Sequence, residues 1–556
     1  MRNPTWVRFM GLFVGTAILA AGCGDGGTTA DADADADAGE DPAADPAGDE
    51  PRTDPDGPTE PDAVDDGGEE ADGTITRVYV HDAAVQVNQQ VTLIVDVEAT
   101  GTIDMTVTWS VEAGSLGSID PATGVYTAPA TTGRNTVWAV SNADPAMRDY
   151  GYVTVTDETD CQTPHYGYDP AMGAGDDPAA APYGGTARYV DPASGSNTGA
   201  GSIDDPWADL NYAVEQASAG DTIYLRGGIH GYGVTITSSA ATSDHPIEIR
   251  SFPGEWAVFD GTGILNGYSM IAVEDCSDLI FRNFEILNYA DPEPLFANGV
   301  YAGGSTRLTF RNIYAHACEG VGFELSSATD CLVEYCTAAD NYDPKRDGDN
   351  ADGFEANAGG NVFRYCVADY NSDDGFDFWD SSGNTAEYCV AHNNGRGTGG
   401  NGNGFKFGSA LEGSGGHTFV GCIALANRSH GFDSNATPVG STQMNCDAYG
   451  NLGGNWQVSD SPQIITNCLS AESLDSENLG DATVTTSLGE VFGGTVTAED
   501  FESVDFADLN NPAEGYRFFY PVSTALIDQG TDVGLPFAGA APDIGAVEAG
   551  LSVDCP

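Results

Sequence analysis

Lysine is almost missing from this chain of 556 residues: Lys345 and Lys406 are the only two. Lysine and arginine together number 19 against 85 aspartates and glutamates, a formal net charge of -66 at pH 7. Phosphate backbones need a basic face, so nucleic acid is excluded as a partner, and cations are expected instead. Histidine is scarce, and the eight present do not cluster; the Cys/His spacing of a zinc site is missing. Helical periodicity is nearly absent, which argues against ankyrin, TPR and helix-rich leucine-rich repeats. Twelve cysteines would suggest a disulfide framework in a small secreted protein. Here most of them fall at repeating positions, which points to a packed ladder.

The single long apolar run lies at the start. Arg2 and Arg8 precede Phe9 to Ala21, and Leu19-Ala20-Ala21-Gly22-Cys23 resembles a bacterial lipobox with the Leu one place earlier than usual; an ordinary signal peptide cleaved at small residues is the other reading. Residues 1–23 therefore read as a lipoprotein signal peptide, with a lipid expected on Cys23 and attachment to the cell envelope, at the outer membrane or cell surface. Residues 24–75 are almost all Asp, Ala, Gly, Pro, Glu and Thr. Such a segment cannot bury a core and is expected to be a disordered acidic linker.

Residues 76–157 carry short alternating runs such as Val78-Tyr79-Val80 and Val107-Thr108-Trp109, as in a small β-sandwich. The stretch Thr108-Trp109-Ser110 … Gly124-Val125-Tyr126-Thr127-Ala128-Pro129 resembles bacterial Ig-like domains, which are usually spacers. Residues 158–185 read as a Gly/Pro/Ala-rich linker, 186–495 as the catalytic domain, and 496–556 as an extension that packs on or caps it.

The architecture of 186–495 follows from a repeat. Six segments superimpose on Cys336, Cys366, Cys389, Cys422, Cys446 and Cys468, at steps of 30, 23, 33, 24 and 22 residues. Asn341, Asn371, Asn394, Asn427 and Asn451 each stand five places after the first five of these. Earlier copies are expected to carry Asn283 and Asn312 in the Cys place. A basic turn of ~22–24 residues with occasional loop insertions is that of a β-solenoid, too short for propeller blades. Equivalent positions then stack one strand spacing apart, so Cys fills the interior and Asn bonds up and down the turns. Cys161 and Cys555 lie outside the ladder, and a bridge between them is one pairing open to them.

A second repeat carries the chemistry. Gly-Phe recurs at Gly322-Phe323, Gly353-Phe354, Gly375-Phe376, Gly404-Phe405 and Gly431-Phe432. With Phe inward, strand alternation turns Glu324, Glu355, Asp377, Lys406 and Asp433 outward. Asp352, Asp373, Asp374 and Asp377 then crowd adjacent turns, a hard-oxygen set suited to Ca²⁺. Lys406 lies one turn beyond them. An acidic stripe is common in a chain this acidic, but four carboxylates beside one of only two lysines weigh towards a site.

The stretches Asn350 to Phe354, Asn371 to Asp377 and Gly402 to Gly408 resemble the family 9 polysaccharide lyases, whose members include Ca²⁺-dependent pectate lyases. Weaker support comes from Tyr189-Val190-Asp191-Pro192, Gly220 to Gly228 and Pro542 to Ala546, which are common to many secreted β-helices. The resemblance implies an all-β fold, a right-handed parallel β-helix, with Lys406 as base and Asp352, Asp373, Asp374 and Asp377 as Ca²⁺ ligands. The loop Glu355–Asn361 looks shorter than usual there, so Asp347 or Asp349 competes with Asp352 as a ligand. The implied reaction is β-elimination on polygalacturonate: a proton leaves C5 and the glycosidic oxygen leaves C4. A neutral Lys is required as the base, so an alkaline optimum is expected. Arg396 and Arg428 are candidates for holding further substrate carboxylates. A monomer is expected. The alternatives are a lyase for another uronic-acid polysaccharide, a β-helix glycoside hydrolase, which needs neither Lys406 nor Ca²⁺, and a non-catalytic, Ca²⁺-stabilised polysaccharide-binding surface protein.

Overall fold

The computed structural model describes residues 73–549 except 81–82, 89, 94, 112–114, 132, 146–147, 157–165, 171, 173–178, 180, 291–295, 511–517, 536 and 538. The signal segment with Cys23, the acidic linker up to residue 72, Cys161 and Cys555 lie outside the described residues. Among those described, no helix is long and apolar enough to cross a membrane.

Residues 74–156 form short strands. Val107–Val111, Gly133–Ser141 and Arg148–Thr156 pair antiparallel, and Ala83–Gln86 adds in parallel to the last of them. Gln90–Thr92, Ser118–Ile119 and Val125–Thr127 form a second small sheet. Trp109, Tyr126, Val137, Ala139, Val153 and Val155 are buried in one shared apolar cluster.

From Ala187–Val190 to Leu488–Gly489 every strand-to-strand pairing is parallel, one turn of chain per step. The coil is a right-handed parallel β-helix. One of its faces is a sheet of nine strands running from Val234–Ile236 to Trp456–Gln457. The helix Leu210–Gln216 starts where the Asp209 carboxylate accepts the amide of Tyr212, and its Leu210, Ala213 and Val214 are buried in the core near the first turns.

The interior is built of stacked identical residues. Cys336, Cys366, Cys389, Cys422, Cys446 and Cys468 are buried free thiols. Phe323, Phe354, Phe376, Phe405 and Phe432 stack at centroid separations of 4.8–5.2 Å, and Trp456 ends the column at 4.4 Å. Both expected ladders are present. In the Asn ladder, Nδ2 of Asn341, Asn371, Asn394 and Asn427 donates at 2.9–3.0 Å to Oδ1 of the Asn on the next turn, and Asn451 passes the chain on to Asn455.

Asn283 and Asn312 are not in the Cys place. The register puts Phe284 and Ile313 there, ahead of Cys336, and each Asn one residue earlier, at a corner of positive φ. Tyr335, Tyr365, Tyr388, Asn445 and Asn467 take the same corner. Asn tolerates the left-handed conformation better than most residues, which explains its recurrence at the corner.

The flank of the coil is covered by two segments from beyond the ladder. Val496, Phe501, Leu509, Phe518, Leu526 and Ile544 of the C-terminal extension pack on Val367, Val390, Ile423, Leu425 and Leu469. The extension therefore lies on the side of the coil. Tyr166 joins the same cluster, Gly167 donates its amide to the Tyr365 carbonyl, and Tyr168 stacks on Tyr314 at 4.3 Å. Part of the stretch between the two folded regions is thus bound to the coil.

Candidate functional site

The nine-stranded face sets the geometry of the polar stripe. Buried Phe alternates with outward neighbours, so Glu324, Glu355, Asp377, Lys406 and Asp433 stand in register on successive turns. Three places earlier, just before the Gly, stand Val321 on the first of these turns and Asp352, Asp374, Asn403 and His430 on the last four. These are tied side chain to backbone along the column: Asp352 Oδ1 accepts the amide of Asp374 at 2.8 Å, Asp374 Oδ1 that of Asn403 at 2.6 Å, and Asn403 Oδ1 that of His430 at 3.1 Å. Asp373 accepts the amides of Asn350 at 2.8 Å and Asn401 at 2.5 Å, one through each oxygen.

Asp352, Asp373 and Asp374 come together. One carboxylate oxygen from each lies within 4.8 Å of the others, and all three side chains are buried. Asp347 and Asp349 are outside this group; Asp349 instead accepts Nδ2 of Asn350. Asp377 turns to the lysine. Lys406 Nζ lies 3.1 Å from Asp377 Oδ2 and 3.1 Å from Asp374 Oδ2, with the lysine only 6% exposed. Asp377 Oδ1 is buried with no hydrogen-bond partner.

The electrostatics are those of too much negative charge in too little water. Burial, then Asp373, Asp377 and Asp374, push Asp352 well above the usual carboxylate range. Burial and Asp374 push Asp373 up to about 7 against the pull of Lys406. Burial raises Asp377 to about 6, with Lys406 again opposing. For Lys406 itself burial favours the neutral amine, but Asp377, Asp374, Asp352 and Asp373 together outweigh it and hold the proton. A buried carboxyl oxygen without a partner, beside three converging carboxylates, is what a hard divalent cation would satisfy. The donor set fits Ca²⁺: all oxygen, with no His or Cys.

The two arginines have structural partners. Arg396 Nη1 meets Asp340 Oδ1 at 2.5 Å, and its guanidinium lies 5.0 and 4.8 Å from the rings of Tyr342 and Tyr370. Arg428 Nη1 donates to the carbonyls of Gly397 and Gly400, the latter at 3.2 Å. That loop runs on to Asn401, whose amide holds Asp373, so Arg428 reaches the cluster through the loop. The amides of Asn350, Asn401 and Asn403 were not foreseen, because only the folded loop brings them to the carboxylates. Trp379, beside Lys406, had a readable signal: it is the next outward residue after Asp377.

A family model described as "Pel9A-like, right handed beta helix region" matches residues 188–475. The chain is 28% identical over 398 residues to pectate lyase PEL9 of Emericella nidulans, covering 62% of this chain and 93% of that one. It is 30% identical over 396 residues to pectate lyase L of Dickeya chrysanthemi, covering 65% and 90%. The solved structure of pectate lyase Pel9A superimposes with a TM-score of 0.54 at 26% identity, covering 66% of this chain and 98% of that one.

Proposed function

The chain belongs to the Pel9A-like right-handed β-helix family, and from that premise we propose that it is a Ca²⁺-dependent pectate lyase that cleaves polygalacturonate by β-elimination. The observation that carries the reading is the Lys406 ammonium, 3.1 Å from both Asp374 and Asp377, at the edge of the Asp352–Asp373–Asp374 group. Asp352, Asp373 and Asp374 would hold the cation, with the unpartnered Asp377 Oδ1 completing the set. Bound there, Ca²⁺ would supply positive charge to offset the carboxylates and to stabilise the charge that develops next to C5.

The chain's own residues do the rest. Lys406, as the neutral amine, takes the C5 proton; the C5–H pair forms the new double bond to C4 as the C4–O bond breaks, and the leaving oxygen keeps that bond's electron pair and takes a proton from solvent water. Asp374 and Asp377 fix the amine in position and receive its charge once it is protonated. The amides of Asn350, Asn401 and Asn403 hold Asp373 and Asp374 in the orientation the cluster needs. Export and lipidation at Cys23 would place this chemistry at the bacterial surface, supported by the Arg-flanked apolar run and the Leu19–Cys23 motif.

The test is the ultraviolet absorbance of the unsaturated product when the full chain meets polygalacturonate, with Ca²⁺ and with EDTA. A rise that needs Ca²⁺ and disappears in Lys406→Ala supports the reading. Reducing ends released without that absorbance would mean hydrolysis and would overturn it.

A further inference from the structure

Lys406 has one more neighbour besides the carboxylates. Its Nζ stands 5.4 Å from the ring centroid of Trp379, within reach of a cation–π contact. Trp379 is 45% exposed, the one exposed tryptophan among the described residues; Trp109, Trp207 and Trp456 are buried. The chain places it deliberately. Asp377 faces out, Phe378 turns in and packs on Phe363 and Phe419 at 5.3 and 5.8 Å, and Trp379 faces out again. The indole is thus tied to the same short segment that positions the base, while almost half of it is left in water.

Packing does not account for that exposure. A flat aromatic ring offers a large contact area for little lost conformational freedom. The C–H face of a pyranose is the complementary surface, and a uronate adds a carboxylate at its rim, where the cation cluster lies. We propose that Trp379 is the stacking platform that binds one uronate residue of the substrate beside Lys406. The substrate class rests on the lyase reading; the contact itself does not need turnover. Trp379 is therefore a substrate-positioning residue, and the shape of its stacking surface selects a pyranose ring presented face-on.

The experiment is a titration of the full Lys406→Ala chain with trigalacturonate in Ca²⁺, read by tryptophan fluorescence, beside the double variant Lys406→Ala/Trp379→Phe. A saturable change is expected in the first and not in the second. In the chain with Lys406 intact, Trp379→Ala is expected to raise KM by ~10-fold with kcat changed by less than ~3-fold, and Trp379→Phe or Trp379→Tyr to recover most of the loss. An indole that only shields Lys406 would give the opposite split, a fall in kcat at constant KM, and would overturn the proposal. So would a silent Trp379 while calorimetry shows trigalacturonate bound, or no binding of trigalacturonate at all. A saturable Trp379 signal in a chain that never releases unsaturated product would keep the platform and remove the lyase reading. Unsaturated product with a silent Trp379 would do the reverse.

Discussion

The Lys406 ammonium and the Asp377 carboxylate stand in register on adjacent turns and meet at 3.1 Å. A lysine that is almost wholly buried is thereby paired with acids that themselves have no room to hydrate. Such a group is a poor surface cation, held in one place by its two carboxylate partners.

Lys406→Ala should therefore abolish elimination. A loss of ~10³-fold or more in kcat is expected, in the range of general base removal. Calcium binding, followed by calorimetry, should persist or tighten, because the variant removes a competing positive charge. A variant that loses the metal and the activity together would point to a collapsed site.

Asp352→Asn and Asp374→Asn should each weaken Ca²⁺ binding by more than the ~10–100-fold typical of outer-shell partners. The stabilisation that bound Ca²⁺ would give the native chain, ~2.7 kcal/mol at 100 times the dissociation constant, should shrink accordingly. The shift in melting temperature on adding Ca²⁺ measures both.

Asn394→Ala breaks the ladder at its middle. Asn394 Oδ1 accepts both the amide and the Nδ2 of Asn371, and its Nδ2 donates to Ala368 and Asn427. Leaving such buried groups unpaired costs ~1–3 kcal/mol each, so a destabilisation of ~2–4 kcal/mol is expected in urea titrations. An unchanged midpoint would mean that water replaces the side chain without loss.

Asp447 gives the fold a pH dependence away from the site. It lies in register between Ile423 and Leu469, and burial pushes it up to about 8 against a pull down from the Ala546 amide. The folded chain keeps this proton where the unfolded chain, near ~3.9, has lost it. The native state thus binds more protons, and this contribution to stability falls as pH rises from about 4 towards about 8. Asp447→Asn should raise the melting temperature at pH 8 and leave it nearly unchanged at pH 4.

The lipid proposed on Cys23 should be absent from Cys23→Ser. Incorporation of labelled palmitate in a bacterial host reads this directly. Labelled protein in that variant would move the anchor elsewhere.

Much of this was legible because a parallel coil writes its geometry into the sequence. Identical residues that must stack recur at the spacing of a turn, so the Cys, Asn and Gly-Phe columns announced both the fold and the face on which Lys406 and the aspartates meet. The early turns were harder. There Cys gives way to Phe284 and Ile313, and Asn283 and Asn312, the residues that still looked periodic, belong to the corner. What sequence could not supply was the outcome of loop folding. Nothing in the sequence pointed to the partners of Arg396 and Arg428, Asp340 and the carbonyls of Gly397 and Gly400, because these are brought to them only by tertiary structure.

Because the ladder of backbone hydrogen bonds fixes the pitch between turns, the aspartates on neighbouring turns cannot drift apart when their charges repel, nor close in around a small guest. The coil acts as a gauge. A cation such as Mg²⁺, which demands short octahedral bonds of ~2.0–2.1 Å and sheds water reluctantly, would have to deform many turns at once to be gripped. A larger ion with a pliable shell asks for no such deformation. Discrimination between the two would then be a property of the whole solenoid's stiffness, inherited by four side chains that happen to sit on it.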